Sequence, residues 1–167
     1  MESLAEIQQL AVRYALCLDS RDMASLVELF VPDVRVGREA TGRDALEAWF
    51  TQTMREPRTS VHLVANHIID FEDADHARGI VYCHDELERP DTGLWDVGKL
   101  QYWDQYLRVD GTWHFARRKF HRWYIVDALA RPAVGAGLGE AFDSLSTTPL
   151  PDAFDTWHAF WESAQET

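Results

Sequence analysis

The chain is short of the residues that staple or interrupt small proteins: its 167 residues include two cysteines, six prolines and nine glycines. Two cysteines make no disulfide framework. Cys17 in a helical pattern and Cys83 in a strand pattern have no metal-ligand spacing, so both are expected to be buried thiols of a reducing compartment. Basic residues are also scarce: 16 Lys and Arg face 28 Asp and Glu. The resulting net charge of -12 opposes phosphate backbones and anionic lipid, so neither nucleic acid nor membrane is expected as a partner. No apolar run approaches the ~18 residues of a membrane span, and MESLAEIQQL lacks the basic and apolar regions of a secretory signal; the expected location is the cytoplasm. GxGxxG, Walker-type and GxSxG patterns are missing, which leaves nucleotide cofactors and a serine nucleophile without support. His84 on one strand pattern and His114 and His121 on another have no ligand spacing, so no metal is expected either.

Aromatic residues are what the chain has in plenty. Seven Trp, eight Phe and five Tyr make up 12% of it, enough for a bulky core or an aromatic-lined cavity that suits a neutral or weakly acidic hydrophobic small molecule. The length fits one core.

Ser3 and Glu6 form a capping-box pattern, and Leu4, Ile7, Leu10, Tyr14 and Cys17 recur at helical spacing, which predicts a first helix over about 4–18. Asp22 caps a short second helix ending before Pro32. Thr41, Gly42 and Asp44 open a third, with Leu46, Trp49, Phe50 and Met54 on one side. The period then changes to two, predicting strands over 60–71, 77–86, 97–109 and 112–124. Residues 126–150, rich in Ala, Gly, Ser and Pro, read as an irregular tail, and Pro151 and Asp152 as the start of a last helix with Phe154, Trp157 and Trp161 in a stripe. The fold class is therefore α+β: a cone-shaped barrel in which a curved, mostly antiparallel sheet packs on three helices, followed by a C-terminal tail and helix.

Asp110-Gly111 between alternating runs signals a two-residue type I′ hairpin. An unbroken register then sets Tyr106 against Phe115, Asp104 against Arg117, and Trp103 against Arg118. On that register Asp104 and Arg117 are an ion pair of structural role, and Arg118 shares its face with Trp103, Ala116 and Phe120. Polar residues within apolar patterns are the candidates for chemistry: Tyr14, Asp19, His62, Asn66, His67, Asp85 and Arg118. In an unbulged strand His62 and His67, five apart, face opposite ways, and periodicity does not choose between them.

Four segments, IQQLAVRYALCLDSRDMASLVELFVPD, GREATGRDALEAWF, VHLVANHIIDFE and YLRVDGTWHFARRKF, carry a resemblance in their order and spacing. Over residues 3 to about 125 the chain resembles the SnoaL-like family of the nuclear transport factor 2 fold. It looks most like the lyase branch containing scytalone dehydratase, bile acid 7α-dehydratase and lindane dehydrochlorinase. The resemblance implies a SnoaL-like domain over 1–125 with a 126–167 extension packing on the domain or on a neighbouring subunit. It also implies a homo-oligomer, as a trimer before a dimer. Carried over by position, it assigns His62 as base, Asp19 as its orienter, and Tyr14 and Arg118 as donors to developing negative charge. Asn66, Asp85, Trp103, Trp49 and Phe120 would contact substrate. The implied activity is a cofactor-independent, dehydratase-like elimination on an aromatic, polyketide-like or steroid-like molecule. Isomerisation, cyclisation or retro-aldol cleavage in the same pocket, or a noncatalytic binding or assembly module such as an oxygenase small subunit, are the alternatives.

Overall fold

The structure, a computed structural model, describes residues 2–129 and 153–155. Helix α1, Glu2–Ser20, buries Ile7, Leu10, Ala11, Tyr14, Ala15, Cys17 and Leu18, the stripe that three- and four-residue spacing puts on one face. Its end is closed by paired backbone bonds, Arg21 N–H to Leu18 O at 3.2 Å and Asp22 N–H to Cys17 O at 2.9 Å. In this Schellman arrangement Arg21 takes a left-handed φ of 60°, a position glycine usually fills. Asp22 then caps α2, Met23–Glu28, by accepting the Ser25 N–H at 3.0 Å. A two-stranded ladder of β1, Arg35–Val36, and β2, Ala40–Thr41, leads into α3, Arg43–Thr53, which buries Leu46 and Phe50.

The four remaining strands form an antiparallel meander in chain order: β3 Ser60–Phe71, β4 His76–Glu88, β5 Trp95–Val109 and β6 Thr112–Asp127. Asp110 and Gly111 both have positive φ, 50° and 82°, as the hairpin signal requires. The helices cover one sheet face, and the seam is pinned by backbone: Phe115 N–H reaches Leu29 O at 2.8 Å and Val31 N–H reaches Phe115 O at 3.0 Å. At the centre Tyr14 meets Phe30, Phe50, Tyr102 and Phe115 edge-on, with centroids 5.5 to 6.2 Å apart. Such contacts add about 0.5–1.5 kcal/mol each beyond area burial and fix α1 on the sheet. Among the described residues no helix is long and apolar enough to cross a membrane.

Two bulges overturn the registers read from the sequence. In β6, Phe115 pairs with Tyr106 but Arg117 pairs with Gln105, leaving Ala116 between them. Residues 117–122 are displaced by one, so Asp104 opposes Arg118, not Arg117, and Trp103 opposes Lys119; a second bulge at Trp123 shifts the end of the strand once more. Arg117 is exposed and takes no part in the expected ion pair. In β3, Val64 pairs with Cys83 and His67 with Val81, so Ala65 and Asn66 together face Tyr82. Counted on β4, the partners Asp85 and Val81 lie on one face, and so His62 and His67 point the same way, into the helix-covered side. The expectation that only one of them faces inward fails for this reason.

The tail and last helix expected over 126–150 and from Pro151 lie largely outside the described residues. β6 runs to Asp127, and Phe154 rests against Trp103 and Trp123 with centroids 5.5 and 6.1 Å away.

Candidate active site

Asp19 is the penultimate residue of α1, and the Schellman turn behind it brings it to the start of β3. Arg21, held in its left-handed conformation, turns its guanidinium back to Leu18 O at 2.6 Å and across to Ser60 Oγ at 2.6 Å and Pro57 O at 3.1 Å. Ser60 in turn donates to Asp19 Oδ1 at 3.0 Å. Helix end, connecting loop and strand are thus tied around one carboxylate. Asp19 Oδ2 accepts the His62 backbone N–H at 2.8 Å, and Oδ1 lies 2.6 Å from His62 Nδ1. Burial works to raise the Asp19 carboxyl, but the bonds from His62 and Ser60 outweigh it and hold the group below the usual carboxylate range. An ionised carboxylate only accepts, so Nδ1 carries a proton, and Nε2 is the nitrogen left to hold a lone pair in the neutral ring. The imidazole side chain is 7% exposed.

Asp85 faces inward directly opposite His62 and is buried. Its Oδ1 has no hydrogen-bond partner among the described residues, and burial, ahead of the opposing His62 and Arg122 charges, raises its pKa. The carboxyl fits because residue 98 is glycine: a Cβ there would lie 1.9 Å from Asp85 Oδ1 and 2.9 Å from its Cγ. Two carboxyls therefore serve one imidazole in opposite states, Asp19 favouring the ion and Asp85 the acid.

Arg118 lies inside the aromatic cluster, its guanidinium 4.3 Å from the Tyr14 ring centroid and 4.1 Å from those of Tyr102 and Phe115. It donates from Nε and Nη2 to the two oxygens of Asp104 at 2.8 and 2.7 Å. The pair is buried, with side-chain exposures of 5% for Arg118 and 0% for Asp104. Burial opposes the Arg118 charge, yet Asp104 outweighs it and keeps the guanidinium firmly protonated. Nη1 is buried without a partner among the described residues. Burial, reduced somewhat by Arg118, pushes the Tyr14 hydroxyl up to about 12, so it stays a donor at neutral pH.

His62, Asp19, Tyr14, Arg118 and Asp85 thus stand on or against the helix-covered face, and Phe120 joins them there with its ring 6.0 Å from Tyr102. His62, Val64 and Phe120 are of intermediate exposure. Three expected substrate contacts fall elsewhere. Asn66 is exposed within the β3 bulge and is no companion to His62. Trp103, next to inward-facing Tyr102, lies on the outer face, stacked 4.3 Å from His121 and bonded through Nε1 to Gln101 at 2.9 Å. Trp49 is 38% exposed and leans edge-on against Phe50 at 4.8 Å. Asp85, expected among the substrate contacts, is buried.

Tyr102, Asp104, Tyr106 and Gly98 were missed as parts of the interior, and His67 was left level with His62. Alternation does place Tyr102, Asp104 and Tyr106 together on β5, but their partners depend on bulges. A surface cleft of about 210 Å³ between Pro57, Leu87, Arg89 and Asp96 contains none of the candidate residues. No cluster of three or more metal-ligating side chains occurs among the described residues.

No curated protein matches the chain. Solved structures do. A scytalone dehydratase-like protein from Novosphingobium aromaticivorans shares 26% identity at a TM-score of 0.67, with 83% of this chain and 95% of that one covered. The hexachlorocyclohexane dehydrochlorinase LinA-type3 from Novosphingobium barchaimii shares 20% identity at a TM-score of 0.69, covering 80% and 94%; at that identity the likeness speaks for the fold. A protein of unknown function from Mycobacterium tuberculosis, Rv3472, solved as a point variant, shares 25% identity at a TM-score of 0.62 over 72% and 76%. The family profile of the SnoaL-like domain matches residues 1–119, and with the curved sheet and its three covering helices already in view, the chain belongs to the SnoaL-like domain family.

Proposed function

We propose that the protein is a lyase that eliminates water or a comparable leaving group from a hydrophobic aromatic, polyketide-like or steroid-like molecule through its own side chains. The observation that supports this reading is the hydrogen-bonded Asp19 and His62 pair, with the buried Asp85 opposite His62 in the register. Nε2 takes a proton from carbon, the C–H electron pair becomes the new π bond, and the bond to the leaving oxygen breaks. Asp85 gives its proton to that oxygen, and the imidazolium then returns one to the Asp85 carboxylate. Asp19 holds the tautomer and stabilises the imidazolium. In this reading Tyr14 and the spare Nη1 donors of Arg118 support charge on a substrate oxygen, a contribution of several kcal/mol in a water-poor site. A homo-oligomer, trimer first, belongs to this reading, since the outer sheet face leaves Val61, Leu63, Ile68 and Tyr82 exposed. So does a cytoplasmic location.

The test is a panel of hydroxylated aromatic and alicyclic compounds incubated with purified protein and read by mass change. The expected result is loss of one water from at least one compound with the wild type and none with His62→Ala, whose circular dichroism stays native. Undiminished product from His62→Ala would remove the dyad from the reaction. Compounds that bind wild type and variant alike without changing mass would instead identify a noncatalytic binding module.

A further inference from the structure

The β3 bulge brings a second histidine to the interior, and its hydrogen bonds are directional. Asp104 accepts from Arg118 at both oxygens and, at Oδ2, from the Tyr106 hydroxyl at 2.8 Å. Guanidinium nitrogens only donate, so the carboxylate has no proton to offer and the single Tyr106 proton is committed to it. His67 Nε2 stands 2.9 Å from the Tyr106 oxygen. That oxygen has only an acceptor role left, and so Nε2 must carry the hydrogen.

Gly79 makes the contact possible: a Cβ there would lie 3.3 Å from His67 Nε2, 3.1 Å from Tyr106 and 2.6 Å from the Ile68 carbonyl. Burial, ahead of the nearby Asp104 and Arg118 charges, lowers the His67 pKa, so the ring is neutral and its Nδ1 is bare. This is the reverse of His62, which stands about 13 Å away along the same strand, four register positions apart.

We infer that His67 is a positioning residue, the terminal donor of a buried relay from His67 through Tyr106 and Asp104 to Arg118 that holds the guanidinium under the Tyr14 ring. His67 donates to Tyr106 and Tyr106 to Asp104, and Arg118 donates to the same carboxylate from the other side. Removing the His67 donor leaves the Tyr106 oxygen without its partner and lets the phenol turn away from Asp104, loosening the carboxylate that orients Arg118. The use of Arg118 by a substrate rests on the proposed elimination; the tautomer and the order of the relay do not.

Nitrogen-15 NMR of the full-length protein tests it without any substrate. The imidazole spectra are expected to show His62 as the Nδ1–H tautomer and His67 as the Nε2–H tautomer at neutral pH. The Arg118 Nε–H is expected to exchange slowly with solvent in the wild type. His67→Leu should accelerate that exchange at least tenfold, while His67→Gln, which keeps an N–H donor, should restore most of the protection, with both variants native by circular dichroism. Finding His67 as the Nδ1–H tautomer, or Arg118 exchange unchanged in His67→Leu, would overturn the inference. If the relay holds and no compound in the mass-change panel reacts, the elimination fails and the relay stands.

Discussion

Asp104→Ala is the substitution whose consequence the structure sets most sharply. Asp104 accepts three hydrogen bonds, from Arg118 Nε and Nη2 and from Tyr106, and its side chain is 0% exposed. Arg118 has no route to water without leaving the three rings stacked 4.1 to 4.3 Å from it. Taking one partner from a buried ion pair strands the other charge and costs about 3–5 kcal/mol. At about 2–4 °C per kcal/mol for a chain of this size, Tm should fall by roughly 6–20 °C. Arg117→Ala, at the exposed position the unbulged register would pair with Asp104, should stay within about 0.5 kcal/mol of wild type. Asp104→Leu combined with Arg118→Met removes both charges and should recover most of the loss, since an apolar pair often replaces a buried ion pair at little cost. Urea denaturation followed by far-ultraviolet circular dichroism at pH 7 measures all three. A loss below about 1 kcal/mol in Asp104→Ala, or equal losses in Asp104→Ala and Arg117→Ala, would refute the bulged register and the reasoning built on it.

Asp19→Asn keeps the shape of the dyad but offers an amide, and turnover should drop about 10³- to 10⁴-fold, the scale seen when the orienting carboxylate of a serine protease triad is so changed; steady-state kinetics on the substrate found by the panel checks it. Because the Asp19 pKa is depressed, the stability it contributes is present above the ordinary value of about 3.9 and is lost as pH falls through the folded one, so Asp19→Asn should unfold less steeply in acid. Asp85 has the opposite sign: its pKa is raised, and the wild type loses stability as pH climbs from about 3.9 through the folded value, each unit being worth about 1.4 kcal/mol. The stability advantage of Asp85→Asn over wild type should therefore grow between pH 4 and 7, and a pH-independent difference in denaturation midpoints would contradict a buried acid. Gly98→Ala should displace the Asp85 carboxyl, lower turnover and cost about 1–3 kcal/mol, whereas adding Asp85→Ala should return the stability, because the three atoms nearest the new methyl all belong to Asp85.

Much of the architecture is local and was readable for that reason. The α1 stripe, the Asp22 cap, the Asp110-Gly111 turn and the β3 limits all depend on neighbours a few residues apart. The Asp19 and His62 pairing was proposed through family resemblance, and periodicity alone left His62 and His67 equal. The Arg118 environment was legible in part: a guanidinium among apolar groups was expected, but its partner and its rings were assigned from the wrong register. Trp103 was placed beside Arg118 by the same unbroken counting, and Asn66 was placed on the site by the family resemblance.

The sequence by itself settled the class of fold, the element order and the acidic, aromatic-rich character, because helix and strand periodicity and turn chemistry act over short spans. Tertiary structure alone decided which side chains share the interior. The extra residues in β3 and β6 change little in local pattern, yet each turns the side chains that follow it, up to the next bulge, to the other face. Whether a strand bulges depends on how it closes against its neighbours and the helices, and those contacts join residues far apart in the chain.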